Sequence, residues 1–145
     1  MLSKALKRIA QELEETGFVD NIEQLSEEGT AFRKVIYTSN RLQLVTMSLK
    51  PKEEIGAEVH PATDQFIRVE KGIGKSVLNG VEHDLTAGFS VIVPAGVKHN
   101  IINTSNTADL KLYTLYSPPH HSIDKVHQTK ADALADKNDF LPKEL

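Results

Sequence analysis

Two short stretches of the chain carry most of the side chains that could do chemistry. The first, residues 56–74, contains Glu58 and His60, which stand two positions apart. Residues two apart on a strand point to the same face, so these two side chains should project together. A tight turn then reverses the chain, and Gln65 opens the return strand, where it can face the same interior. In the second stretch His99 begins another strand. Imidazole and carboxylate groups held together can share a proton or coordinate a cation.

Short β-rich runs must position these side chains. Between residues 18 and 117 the chain has no convincing long helix. It breaks at turn residues into runs typical of strands: FRKVIYT, RLQLVTMSLK, QFIRVEKG, GKSVLNGVEHDL, GFSVIVPAG, HNIINT and LKLYTLYS. The pair Asn79-Gly80 readily takes the positive φ angles of a two-residue hairpin turn. Many short strands at near-regular spacing predict an all-β sandwich or barrel.

Helical patterns are limited to the two ends of the chain. At the N-terminus apolar residues follow helical spacing: Leu2, Leu6, Ile9 and Leu13. We expect this amphipathic helix to dock on the barrel or on a second subunit, because it should be marginal alone. Near the C-terminus Thr129 with Asp132 predicts a capped short helix in TKADALAD. The predicted organisation is an N-terminal helix at 1–17, a barrel at 18–117, and a C-terminal loop and short helix at 118–145.

The two chemical stretches resemble the paired motifs of the cupin superfamily. The second motif reads G-x-x-x-x-x-P-x-G-x-x-H-x-x-x-N, and its fixed positions are filled by Gly88, Pro94, Gly96, His99 and Asn103. The first motif has matches at His60 and Gly72, but Lys52 replaces its first Gly, Glu58 its first His and Gln65 its Glu. The resemblance implies an all-β double-stranded β-helix, the RmlC-like jelly-roll barrel of cupins, with short N-terminal and C-terminal helices.

The resemblance also implies a metal site inside the barrel. Cupin sites normally use three His and one Glu, and the four matching positions here hold Glu58, His60, Gln65 and His99. Two imidazoles and a carboxylate with open positions suit non-haem Fe(II), and Mn, Ni or Zn would also fit. Because the Gln oxygen carries no charge, affinity should be lower than at the standard site. The alternative is a buried hydrogen-bond network without an ion, in which an imidazolium pairs with Glu58.

Histidines and tyrosines near the end of the barrel zone are weaker candidates. We interpret His120, His121 and His127 as exposed loop residues. The other possibility is that they fold over the barrel mouth as acid–base groups or substrate contacts. Tyr113 and Tyr116 have opposite facing on a late strand, so one of them can face the cavity.

Several polar residues in or near the motifs are expected to have structural roles. Asp64 should stabilise its turn rather than bind metal, and His83 should face solvent. Asn103 should serve the backbone at the end of its own strand. Arg68 and Glu70 should point outward, where they could contribute to a subunit contact.

Composition excludes several classes of protein. The 145 residues contain no cysteine, which removes disulfides, zinc–thiolate sites and thiol nucleophiles. The formal net charge is −3 and no basic patch with interleaved aromatics occurs, so we expect no nucleic-acid partner. No apolar run approaches membrane-spanning length, and early Lys and Arg residues interrupt any signal-peptide core. We therefore expect a cytoplasmic protein without a membrane partner.

Function is less constrained than fold, because one fold supports many chemistries. We expect an enzyme acting on a small oxygen-rich metabolite, of the sugar isomerase, dioxygenase or decarboxylase type that small cupins resemble. The alternative is a non-catalytic module that binds a sugar or an organic acid. Open metal positions facing a cavity would favour the enzyme. A homodimer is expected by the same resemblance, since pairing would cover unpaired strand edges.

Overall fold

Nine strands and two short helices form the part of the chain that the structure, a computed structural model, describes: residues 16–139. The helices are α1 (Ile22–Glu28) and α2 (Lys130–Ala135). The strands are β1 (Arg33–Thr38), β2 (Gln43–Leu49), β3 (Asp64–Lys71), β4 (Ile73–Leu78), β5 (Val81–Thr86), β6 (Ser90–Val93), β7 (His99–Asn103), β8 (Leu110–Ser117) and β9 (Val126–His127). The all-β class is confirmed. None of the helices in residues 16–139 is long and apolar enough to cross a membrane.

The strands form two antiparallel sheets around one core. The larger sheet has the order β6-β3-β8-β2-β1-β9, and the smaller one β5-β4-β7. On β3 buried and exposed residues alternate, so Gln65, Ile67 and Val69 face inward as predicted. Buried apolar residues from both sheets join in one cluster that includes Val45, Met47, Ile67, Val69, Leu85, Val91, Ile101 and Leu112. This core fixes the strands whose ends carry the candidate site.

Two turns show how the sequence sets the strand registers. Asn79 and Gly80 have φ angles of 47° and 83°, and they join β4 to β5 as the predicted hairpin. Lys52, at the position where the cupin motif carries Gly, has a φ of 65°. The amide of Glu53 donates to the carbonyl of Lys50, which closes the turn around Pro51 and Lys52. The backbone therefore keeps a conformation typical of glycine although the side chain has changed.

The ends of the described chain differ in part from expectation. The predicted N-terminal helix, at 1–17, falls almost entirely outside the described residues. The C-terminal helix is present as α2, with the capping box between Thr129 and Asp132 that its sequence predicts. Helix α1 was not expected, although Asn21 caps it by accepting from the Gln24 amide. Strand β9 was not expected either, and it extends the larger sheet by pairing with β1.

Candidate metal centre

A short β-bridge brings the first two candidate residues together. The Glu58 amide donates to the His99 carbonyl at 2.9 Å, and the His99 amide donates to the Glu58 carbonyl at 3.0 Å. Residues directly opposite each other in such a pair send their side chains to the same face. The turn before His99 is closed by the Val97 amide donating to the Pro94 carbonyl, with Gly96 at a φ of 87°. The sequence pattern thus places His99 opposite Glu58.

His60 completes a group of three potential ligands. Its carbonyl accepts from the Gly96 amide at 2.8 Å, which ties its backbone to the same turn. The His60 Nε2 atom lies 3.5 Å from Glu58 Oε1, and the His99 Nε2 atom lies 3.8 Å from the same oxygen. One ligand atom from each residue lies within 4.8 Å of the other two. Two donors at about 2.1 Å from one ion can be at most about 4.2 Å apart, so both distances to the carboxylate suit a shared ion.

The hydrogen bonding of the imidazoles leaves their Nε2 atoms available. His99 Nδ1 lies 2.9 Å from the Val97 carbonyl, which can only accept, so Nδ1 carries the proton. Neither His60 Nε2 nor His99 Nε2 has a hydrogen-bond partner among residues 16–139, although both atoms are buried. Buried polar atoms are rarely left unpaired, and a ligand histidine characteristically bonds its other nitrogen to a carbonyl. Both observations fit a metal.

The protonation states of Glu58 and His99 also fit a metal site. Burial raises the pKa of Glu58, but His60, Arg33 and His99 lower it by more, so the net pKa lies below its usual range. Burial lowers the pKa of His99, and the Val97 carbonyl and Glu58 oppose this only in part. The folded protein therefore favours a carboxylate beside a neutral imidazole. A divalent metal requires these two protonation states.

Gln65 lies inside the barrel on the neighbouring strand. Its Nε2 donates to Thr114 Oγ1 at 2.9 Å, and its buried Oε1 has no partner within the described chain. It stands directly opposite Tyr116 on β8, so the two side chains share a face. The Tyr116 ring in turn packs edge-on against the His60 ring, with centroids 5.8 Å apart. The group of Glu58, His60 and His99 offers two imidazole nitrogens and a carboxylate, a donor set that suits Fe(II), Mn, Ni or Zn, and Gln65 has an unpartnered amide oxygen on the same inner face of the sheet as Tyr116.

The expectation that His120, His121 and His127 are exposed loop residues is wrong. His121 and His127 are 2% and 3% exposed, and His120 is half-buried with its ring centroid 4.2 Å from that of His60. The cause lies on β2, where the buried Gln43 binds the backbone of this loop. Its Oε1 accepts from the amides of His120 and His121, and its Nε2 donates to the His121 carbonyl. The loop is therefore held against the candidate site.

Ion pairs hold the C-terminal segment in place. His121 Nδ1 lies 2.8 Å from Asp139 Oδ2, and its Nε2 lies 3.2 Å from the Tyr116 hydroxyl. His127 Nε2 lies 2.9 Å from Asp136 Oδ2. His127, Asp136 and Asp139 also lie close enough to hold an ion. However, Lys125 Nζ lies 2.8 Å from Asp136 Oδ2 and already supplies a cation there, so we assign an ion-pair network.

The other motif residues have structural roles, although Asp64 acts at a different turn from the one expected. Asp64 Oδ1 accepts from the Ala95 amide, so it stabilises the turn between β6 and β7 rather than its own. Asn103 Nδ2 donates to three backbone carbonyls, those of Leu49, Lys50 and Ala108. His83 is exposed.

The remaining predictions concern which side of a strand a residue faces. Tyr116 is the inward-facing tyrosine, at 1% exposed, whereas Tyr113 packs near Phe66 on the outer face. Arg68 is exposed and pairs with Glu70 at 3.1 Å.

Sequence reasoning missed two charged residues near the centre. Arg33 and Asp139 are both buried, with Arg33 Nη1 3.7 Å from Asp139 Oδ2. They line a cavity that also borders Glu58 and His121. Neither residue belongs to a motif, and they come from the two ends of the described chain. The strand-like run FRKVIYT, which contains Arg33, predicted a strand and gave no sign of a site.

Comparisons with known proteins agree with this fold. A model of the cupin domain matches residues 45–116. The "uncharacterized protein YrkC" of Bacillus subtilis is 43% identical over 125 residues, which cover 81% of this chain and 66% of that protein. The matched chain thus spans about two thirds of that relative's length. The crystal structure of BH2720 from Bacillus halodurans is 40% identical with a TM-score of 0.80, covering 82% of this chain and 94% of that one.

A more distant structure carries the predicted subtype in its name. The RmlC-like cupin from Shewanella frigidimarina is 25% identical with a TM-score of 0.55, covering 63% of this chain and 79% of that one. The paired sheets, the motif spacing and these similarities agree, and the chain belongs to the cupin family.

Proposed function

We propose that this cupin is an enzyme that binds one divalent metal ion, Fe, Mn, Zn or Ni, and acts on a small oxygen-rich metabolite. Glu58, His60 and His99 would hold the ion, with Gln65 as a fourth and weaker donor. The observation that carries the proposal is the pair of buried, unpartnered Nε2 atoms 3.5 and 3.8 Å from one carboxylate oxygen. Buried nitrogen atoms without a partner cost free energy that a bound ion would offset.

The same geometry speaks against the ion-free network. In that network an imidazolium would donate to Glu58, but both His–Glu distances exceed those of a good hydrogen bond. The lowered pKa of His99, caused first by burial, also disfavours its charged form. The network would therefore leave its central donors unsatisfied.

Catalysis is favoured over binding alone by what surrounds the ligands. The Glu58 side chain is 32% exposed, and it borders a cavity that also contains Arg33, His121 and Asp139. A substrate in that cavity would find charged and hydrogen-bonding groups beside the ligands. The loop with His120 and His121 packs against the ligands, with the His120 ring centroid 4.2 Å from that of His60. A bound divalent ion would supply Lewis-acid polarisation of a substrate oxygen, or redox chemistry in the case of iron or manganese.

The identity of the metal decides between the reaction types. Iron would favour a dioxygenase, whereas zinc or manganese would favour a sugar isomerase or a decarboxylase. The non-catalytic alternative, a module that retains a sugar or an organic acid, predicts ligand binding without turnover whichever ion is bound.

Plasma mass spectrometry on protein purified without chelator or a nickel column tests this proposal. We expect near-stoichiometric metal in the wild type and in His83→Ala, which removes an exposed histidine as a matched control. We expect almost none in Glu58→Ala/His60→Ala. Metal-free wild type, even after incubation with each candidate ion, would contradict the proposal and leave a ligand-binding barrel.

Partner and location belong to the same proposal. We propose a homodimer in the cytoplasm, with no nucleic-acid or membrane partner. The dimer is supported by the outer edge of β6, which has no partner strand among residues 16–139, and by the exposed apolar side chains of Ile92 on that strand and Phe89 just before it.

A further inference from the structure

A small cavity lies between the candidate metal centre and the C-terminal segment. Its volume is about 110 Å³, well below the roughly 300–1,000 Å³ of sites for drug-sized ligands. A cavity of this volume suits a small molecule rather than a drug-sized one. Glu58 forms part of its wall, so a molecule in this cavity lies next to the metal ligands.

Two basic residues contribute to the lining of the cavity. Arg33 lies on β1 between β2 and β9, and its side chain is 8% exposed. Lys130, the first residue of α2, lines the same cavity. Apolar surface in the same cavity comes from Phe32, Ile55 and Leu134. The lining of the cavity therefore combines apolar side chains with two basic residues and with the carboxylates of Glu58 and Asp139.

The Arg33 guanidinium is not satisfied by the protein groups around it. Its Nε is buried and makes no hydrogen bond within the described chain. Its Nη1 lies 3.7 Å from Asp139 Oδ2, beyond hydrogen-bond distance, and that oxygen already accepts from His121. A guanidinium offers five donors in a planar fork that matches a carboxylate. Burying such a group with open donors is costly unless a ligand fills them.

The charges around the cavity also favour an anion. Arg33 and Lys130 balance Glu58 and Asp139 when no ion is bound. A divalent ion held by Glu58 would leave the cavity with two extra positive charges. Small carboxylates are metabolite anions of a size that about 110 Å³ admits.

We infer that the substrate is a small hydroxy or oxo carboxylic acid, whose carboxylate binds Arg33 with support from Lys130. Its second oxygen function then lies on the Glu58 side of the cavity. This inference rests on the proposed function, since it names the substrate class of the same site. It also defines a binding site for carboxylates that can be measured without turnover.

Isothermal titration calorimetry with glycolate, lactate and pyruvate tests the inference, with lactamide as the uncharged match of lactate. We expect at least one acid to bind and lactate to bind more tightly than lactamide. Arg33→Gln should weaken binding of the acid about tenfold to hundredfold, because it removes a charge-assisted pair. Arg33→Lys keeps the charge but loses the fork, and should recover only part of the affinity. Lys34→Gln, an exposed neighbour on the same strand, should bind like the wild type.

Metal content, circular dichroism and melting of each variant separate the two proposals. Arg33→Gln should keep its fold and its metal, because Arg33 is not a ligand. Full metal with no preference for lactate over lactamide would overturn the carboxylate site and leave the metal proposal intact. Carboxylate binding that depends on Arg33 in a protein that takes up no metal would support the carboxylate site while the metal proposal fails. Should Arg33→Gln not fold, Lys130→Gln gives the second test, with an expected weakening of a few-fold.

Discussion

At the scale of single residues, Gln65 is the proposed ligand whose replacement tests the metal centre most directly. It brings a neutral oxygen to a position where the cupin motif carries a carboxylate, and its Nε2 is held by Thr114. We predict that Gln65→Glu raises metal affinity at least about tenfold, equivalent to about 1.4 kcal/mol, because it adds a negative charge beside the ion. Competition with a coloured chelator measures this directly. Gln65→Leu, which keeps the volume and removes the oxygen, should lower the metal affinity several-fold. An unchanged metal affinity in this variant would show that Gln65 is not a ligand.

Lys52 tests whether the first motif position still requires a glycine conformation. Its φ of 65° costs an L-residue about 1–2 kcal/mol, and a β-branched side chain tolerates it worst. We predict that the free energy of unfolding, measured by urea titration, is about 1–2 kcal/mol lower for Lys52→Val than for Lys52→Gly. Both variants lose the bond from Lys52 Nζ to the Thr104 carbonyl, so their difference isolates the backbone. Equal stability of the two would mean that the turn relaxes.

The grouping of Glu58, His60 and His99 could be predicted from the sequence because their placement depends on local patterns. Glu58 and His60 are two apart, and His99 follows a turn whose proline and glycine are visible in the motif. Arg33, His121 and Asp139 could not be placed in the same way. They meet only after the C-terminal segment has folded back across the barrel, and no local pattern records that contact.

At the scale of elements, the same distinction between local and tertiary signals holds. The strands and the Asn79-Gly80 hairpin were predictable because alternation and turn chemistry are local properties. Strand β9 has two residues and exists only because β1 offers it an edge, so no period could reveal it. Helix α1 is seven residues long, too short for a helical period, and its cap at Asn21 was the one available signal. The burial of His121 depends on Gln43, which lies on a different strand.

The C-terminal segment should make stability depend on pH. Burial lowers the pKa of His121, and its bond to Asp139 opposes this only in part, so the folded protein prefers the neutral ring. The unfolded chain takes up this proton near pH 6.5, and the folded state does so only at lower pH. Burial raises the pKa of Asp139, but His121 and Arg33 lower it by more, so its contribution is lost only under stronger acid.

We therefore predict that the free energy of unfolding of the metal-free protein falls between pH 7.5 and pH 5.5. Replacement of His121 by Gln should reduce the slope of the free energy of unfolding against pH. The reduction should be at most about 1.4 kcal/mol per pH unit, the value for one proton. His99 also has a lowered pKa, so part of the slope should remain. Urea titrations at the two pH values give the comparison, with His83→Gln as the matched control. A slope that His121→Gln leaves unchanged would show that this histidine does not titrate with folding.

At the scale of the whole molecule, the barrel leaves an apolar strip on the outer face of its larger sheet. The register aligns Ile92, Phe66 and Leu115 across β6, β3 and β8, and Ile92 is 66% exposed. Strand β6 ends this sheet among the described residues, so its outer edge offers unpaired backbone groups beside the strip. An edge of this kind invites pairing with another chain. A second copy would cover both the edge and the strip in one contact.

Ile92→Asp tests the proposed homodimer because it places a charge in the strip without touching the core. We expect dimers for the wild type in sedimentation velocity at micromolar concentration and monomers for Ile92→Asp, since a charge buried in an apolar contact lacks a partner. Val81→Asp is the matched control, as Val81 is 57% exposed on β5, an edge strand of the smaller sheet. A dimer lost in Val81→Asp and retained in Ile92→Asp would move the interface to the smaller sheet. A monomeric wild type would contradict the homodimer. It would indicate that the charged groups flanking the strip, among them Arg68, prevent pairing at this edge.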